Sequence, residues 1–203
     1  MDPIDKLAEL FRQFPGIGPR QSKRFVYFLL QRNAGFLKEL TEGIGELKET
    51  ISQCPDCLRY FPKQNGTVQC NICRNKNRDK SLVLVVEKDV DLDAIEKSRI
   101  YQGYYFVLGG VLSLLDKEPA QKIREQQFLE FLKKRKGVVK EIVLALSATT
   151  EGDHPIEYLR GELERLAVDY KLKISTLGRG LSTGTELEYS DTDTIKSAFK
   201  NRG

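Results

Sequence analysis

A chain of 203 residues, 40% hydrophobic and 31% charged, is long enough to bury a core in one large or two modest domains. Met1-Asp2-Pro3-Ile4-Asp5 lacks the basic-then-apolar order of a secretion signal, and no apolar run nears the roughly 20 residues that span a bilayer, so a cytoplasmic protein without a membrane partner is expected. The net charge of +4 is unevenly spread: residues 1–80 hold 14 Lys and Arg against 9 Asp and Glu, and residues 81–203 hold 19 against 20, which favours a polyanion, nucleic acid first, for the leading part.

In chain order, Ile4, Leu7, Ala8, Phe11 and Phe14 follow helical spacing and stop at Pro15-Gly16-Ile17-Gly18. Pro19 suits the first turn of a second helix that carries Phe25, Val26, Leu29 and Leu30 to about Arg32. A third helix bears Leu37, Leu40, Ile44, Leu47 and Ile51 at intervals of three and four. A cysteine segment and the basic run Arg74-Asn75-Lys76-Asn77-Arg78 follow. From Ser81 short β-branched runs alternate with helical stretches. Residues 82–86, 104–108, 142–146 and 172–175 read as strands, the first three buried on both faces, with helices at about 89–98, 119–136 and 154–170. The expected class is α/β, a parallel sheet behind a helical N-terminal region. The expected division is 1–53 helical, 54–80 cysteine module and linker, 81–177 α/β domain and 178–203 C-terminal arm.

Three features carry chemistry. Cys54-Pro55-Asp56-Cys57 and Cys70-Asn71-Ile72-Cys73 are two CxxC knuckles twelve residues apart. Each puts two thiolates on one side of a tight turn, and together they complete a tetrahedral shell for one structural Zn²⁺; an iron–sulfur centre or redox dithiols are the alternatives. Gly16 and Gly18, between two helices and followed by Arg20, Lys23 and Arg24, read as a helix-hairpin-helix. Its backbone N–H groups and cations would hold a DNA phosphate without reading bases, the alternative being an ordinary helical hairpin. Glu87, after the first buried strand, and Glu151 and Asp153, after the third, should meet at the carboxyl edge of the sheet and could hold Mg²⁺. The alternative there is acids that favour helix N-termini, as Asp89, Asp91 and Asp93 also would. His154 reads as a surface residue, and Gly178, Gly180 and Gly184 match no nucleotide fingerprint.

The order of these parts, Phe14 to Arg20, the four cysteines, Val85-Val86-Glu87, Tyr105 to Leu108, Thr150-Glu151-Gly152, Arg179-Gly180-Leu181 and Glu186 to Tyr189, resembles the RecR family of recombination mediators over nearly the whole chain. The resemblance implies a Toprim-type domain, a C-terminal segment that packs on a neighbouring subunit, and a homo-oligomer, dimer or tetrameric ring, able to encircle gapped, single-stranded or duplex DNA. It implies RecO and RecF as partners, acting against single-strand-binding protein to load RecA, with no catalysis. DNA contact by Arg20 and Arg24 is likewise carried over from the family, whereas Lys23 is added on charge alone. The sequence departs from the family's pattern at Val111, Leu114, Ser147-Ala148, Asp153, Ser182 and Thr185. The runner-up is a metal-dependent Toprim nuclease or primase-like enzyme using Glu87, Glu151 and Asp153. A zinc-ribbon interaction module that does not bind DNA is the third reading.

Overall fold

The computed structural model describes residues 2–64, 66–110, 123–146, 160–161, 163–164, 167–178, 181, 184, 186–190 and 192–200. The chain divides into two compact units, residues 1–52 and 53–203.

In the first unit, Asp2 starts α1 (Pro3–Arg12) by accepting the Ile4 N–H at 3.3 Å, with Pro3 in the first turn, where a missing N–H costs nothing. The helix ends in a turn that Gly16 completes at φ +75°, a left-handed conformation that costs other residues about 1–2 kcal/mol. α2 (Pro19–Leu30) then folds back along α1. Phe11 meets Phe25 edge-on at 5.6 Å between centroids, and Ala8 and Val26 are buried. Asn33 caps α3 (Ala34–Thr50) by accepting the Phe36 N–H at 2.8 Å. The apolar spacing of α3 does form a helix, yet no residue of it is buried, and Ile44 and Leu47 are each 59% exposed.

The second unit is built on a four-stranded, all-parallel sheet in the order β4-β3-β5-β6, comprising β3 (Asp79–Val86), β4 (Gly103–Val107), β5 (Glu141–Ala145) and β6 (Lys173–Thr176). Successive residues of a strand face opposite ways, so the continuous apolar runs of β3 and β4 feed two cores. Val83, Val85, Tyr104 and Phe106 pack with Phe128, Phe131 and Leu132 of α6 (Glu125–Lys134). Leu84, Val86, Tyr105 and Val107 pack with Leu92 of α5 (Asp89–Ser98) and with Cys54, Cys57 and Cys70. Residues 160–161, 163–164 and 167–170 are helical, within the stretch expected at 154–170. A two-stranded ribbon, β1 (Ile51–Gln53) and β2 (Tyr60–Pro62), brackets the first cysteine turn, and the short α4 (Asn71–Arg74) carries the last cysteine. Near the C-terminus lie a 3-10 turn (Leu187–Tyr189) and α7 (Thr192–Lys200).

β4 sits at the edge of the sheet yet is buried along its whole length. Its two faces lie in the two cores, and at its end the first cysteine knuckle covers the edge, where the Val107 N–H donates to the Cys57 carbonyl at 2.9 Å. A strand edge otherwise open to pairing with another chain is thereby closed by the cysteine module.

Candidate functional site

The four cysteines are unoxidised, and their Sγ atoms all lie within 4.8 Å of one another. A tetrahedral ion with metal–sulfur bonds of about 2.3 Å requires sulfurs about 3.8 Å apart. Cys57 and Cys70 stand at 3.6 Å. The Cys70 N–H points at the Cys54 sulfur and the Cys73 N–H at the Cys70 sulfur, both at 3.5 Å, as in a knuckle whose sulfurs are negatively charged. Cys54, Cys57 and Cys70 are fully buried and Cys73 partly so. Crowding disfavours ionisation: the neighbouring sulfurs, Cys54 first, push the Cys73 thiol well above its ordinary value. Thiolates this close repel one another, a cost that a cation among them would offset, and four protein ligands would leave no coordination position open for chemistry. The residues fit a metal site, and a structural one.

Polar groups around the knuckle fasten it to the α/β layer. Asp56, between the first two cysteines, receives the Arg135 guanidinium at 3.0 Å and the Gln69 side-chain amide. Arg135 in turn lies 3.9 Å over the Phe131 ring. Arg124 donates to the carbonyls of Leu58 at 2.9 Å and Val107 at 3.2 Å. Leu58 reaches this position only in the left-handed region, at φ 60°. None of these hydrogen-bonded supports was visible in the sequence, since the partners lie 13 to 79 residues apart.

At the hairpin, Gly16 and Gly18 are exposed, and a Cβ on either would meet nothing within 4 Å, so the turn's backbone is open to an approaching group. Gly18 leads into α2 without a side-chain cap, which leaves the first N–H groups of that helix available. Arg20, Lys23 and Arg24 are all exposed on the first turns of α2. Lys23 pairs with Asp5 at 3.1 Å, which raises its pKa and offsets its charge. Arg20 and Arg24 form no ion pair among the described residues.

Glu87 lies at the carboxyl end of β3 and is 2% exposed; its carbonyl accepts the Gly109 N–H at 2.9 Å. Glu151 and Asp153, expected beside it, lie outside the described residues, as does His154. Neighbouring acids have local tasks. Asp89 accepts the Tyr60 N–H at 2.7 Å, and Asp91 accepts the Lys88 N–H at 2.9 Å at the start of α5. Among the described residues the four cysteines are the one cluster suited to a metal, and no helix is long and apolar enough to cross a membrane.

Comparison with known proteins agrees with this layout. Residues 81–177 match the Toprim domain model, which covers the parallel sheet. The chain is 36% identical over 202 residues to recombination protein RecR of Legionella pneumophila (strain Corby), covering 100% of this chain and 98% of that protein. It is 35% identical over 199 residues to recombination protein RecR of Anaplasma phagocytophilum (strain HZ), covering 98% and 97%. For recombination protein RecR of Chlorobium phaeobacteroides (strain BS1) the identity is 34% over 200 residues, covering 98% and 95%. With a helical hairpin, a four-cysteine centre and a Toprim sheet in one chain, and identity of this extent from end to end, the protein belongs to the RecR family of recombination proteins.

Proposed function

We propose that this chain is a non-enzymatic mediator of recombinational repair that binds DNA through its helical hairpin and assembles with copies of itself around it. The observation that carries the reading is the pair Arg20 and Arg24, exposed and unpaired among the described residues, beside an open glycine turn at an uncapped helix start. Such a surface attracts phosphates and offers nothing to read base edges, so binding is independent of sequence. Gapped, single-stranded and duplex DNA are its targets. In this reading Gly16 and Gly18 admit the backbone, Arg20 and Arg24 supply the attraction, and Lys23 contributes less because Asp5 holds it.

One Zn²⁺ per chain fills the Cys54, Cys57, Cys70 and Cys73 site, and the ion supplies structural cross-linking of the knuckle to the sheet edge. The acidic edge of Glu87, Glu151 and Asp153 serves a protein partner, with RecO and RecF the partners and RecA loading against single-strand-binding protein the outcome. Because Glu87 is buried, its part is to shape that edge. The division of labour follows the chain: 1–53 for DNA, 54–80 for metal, 81–177 for partners and 178–203 for subunit contact.

Reversing both cations, Arg20→Glu with Arg24→Glu, should nearly abolish binding to gapped DNA while leaving metal content and thermal unfolding unchanged. Fluorescence anisotropy across a salt series measures this. A folded double variant with wild-type affinity and wild-type salt dependence would falsify the hairpin assignment.

A further inference from the structure

We propose that the amino-terminal edge of the parallel sheet, opposite the acidic edge, is a second binding surface for nucleic-acid phosphates. The ligand class rests on the DNA-binding reading above; the surface itself lies wholly within the second unit. Three adjacent strands each begin beside a lysine. Lys80 is the second residue of β3, Lys140 immediately precedes β5, and Lys173 opens β6. The Lys140 N–H donates to the Ser81 carbonyl and the Lys173 N–H to the Lys140 carbonyl, both at 2.8 Å. These bonds align the three positions across neighbouring strands, a row spanning about 10 Å at ordinary strand spacing. Lys136 and Lys171 extend it. The Lys136 ammonium lies 4.6 Å from the centre of the Tyr170 ring, and Lys171, in the left-handed region at φ 52°, turns the chain from the helical residues 167–170 into β6.

All five lysines are exposed. The acids nearby are Asp79, Glu141 and Asp169. Asp79 faces Lys140 but is taken up by the Ser81 N–H at 2.8 Å and hydroxyl at 2.6 Å. Glu141 accepts the Ser175 hydroxyl at 2.7 Å and the Lys173 ammonium at 3.1 Å. Among the described residues Lys80, Lys136, Lys140 and Lys171 form no ion pair. Cations at this edge also sit near helix C-termini, where they can serve the helices alone. For α6 that task falls to Arg135, which donates to the Phe131 carbonyl; none of the five lysines bonds a helix carbonyl among the described residues. Four ammoniums without an ion pair, beside the Glu141-paired Lys173 and with an aromatic ring among them, match a polyphosphate backbone better than a single small anion.

The test has two readouts on the full chain. In the first, lysines of wild-type protein are acetylated with and without a labelled oligothymidylate, and reactivity at each position is read by mass spectrometry. Protection of Lys136, Lys140 and Lys171 is expected, and Lys23 reports on the hairpin in the same experiment. In the second, Lys136→Glu, Lys140→Glu and Lys171→Glu are combined, with a Lys→Gln version of the same three positions as the gentler variant. Removing three phosphate contacts should lower the slope of log affinity against log salt by about 2 on single strands, at about 0.7 per contact. Unchanged reactivity of the three lysines, or an unchanged slope in either folded variant, overturns the proposal. Wild-type protein that binds no oligonucleotide overturns the DNA reading itself. Loss confined to the Arg20 and Arg24 variant upholds the hairpin and removes the edge.

Discussion

The four cysteine sulfurs lie within metal-ligand distance of one another, so this cluster is where a single atom matters most. Replacing Cys70, whose sulfur takes the Cys73 N–H and stands 3.6 Å from that of Cys57, by serine should release the metal. Because binding energy at such a site is folding energy, stability should fall by more than about 4 kcal/mol. Elemental analysis and denaturant unfolding measure the two effects; full metal content in Cys70→Ser would contradict the assignment. Two glycines give a cleaner comparison. Gly16 and Gly109 both have positive φ, +75° and +80°, but a Cβ on Gly16 meets open space whereas one on Gly109 would lie 2.5 Å from the Arg124 Nε. Gly16→Ala should therefore cost only the backbone strain, about 1–2 kcal/mol, and Gly109→Ala that amount plus displacement of Arg124 from the Leu58 carbonyl. Equal losses in urea unfolding would mean that Arg124 moves aside freely. The four-cysteine cluster was legible in the sequence because CxxC spacing is local geometry. Arg124 and the Asp56–Arg135 pair were not, since nothing in a linear pattern marks partners brought together by the sheet.

At the scale of elements, α5 was legible to the residue. Its acidic first turn is a local signal, and the helix expected at about 89–98 runs Asp89–Ser98. The strands were legible as apolar runs, but their order and the closing of β4 by the cysteine knuckle depend on contacts that only the fold creates. Tyr101, just before β4, and Tyr105 within it belong to that closed edge. Burial pushes both phenols well above their ordinary value, and Tyr101 donates to the Tyr104 carbonyl at 3.0 Å. An unfolded phenol ionises near pH 10, so at higher pH the unfolded chain gives up protons that the folded chain keeps. The contribution of these two groups is thus fully present below about pH 10 and is lost as pH rises toward their folded values. Unfolding midpoints followed across that range should fall more gently in Tyr101→Phe than in wild type, with the phenolate absorbance of these two groups appearing only on unfolding. Ionisation of every tyrosine in the native state near pH 10 would show the edge to be open.

Among the described residues, each unit leaves large apolar side chains uncovered. On α3, Leu40, Ile44 and Leu47 lie one helical turn apart and are exposed; toward the C-terminus so are Leu187, Tyr189 and Phe199. Apolar positions repeated along an exposed helix mark a surface for association, and association is part of the function proposed above. One self-complementary surface yields a dimer; two distinct ones on each chain let dimers close into a tetramer. Light scattering should therefore give a molar mass that is a multiple of the 23.2 kDa chain, and Ile44→Glu with Leu47→Glu should reduce it without disturbing the metal, which belongs to the other unit. The effect on DNA then separates assembly from mere contact. If several hairpins engage one strand, each after the first binds at high effective concentration, so losing an interface should weaken binding by more than tenfold although no DNA-contacting residue has changed. The salt slope should fall in the same proportion as the number of joined chains, because fewer phosphates are neutralised per particle. A wild-type protein that stays monomeric at every concentration, with and without gapped DNA, would leave the α3 stripe without a role in self-assembly.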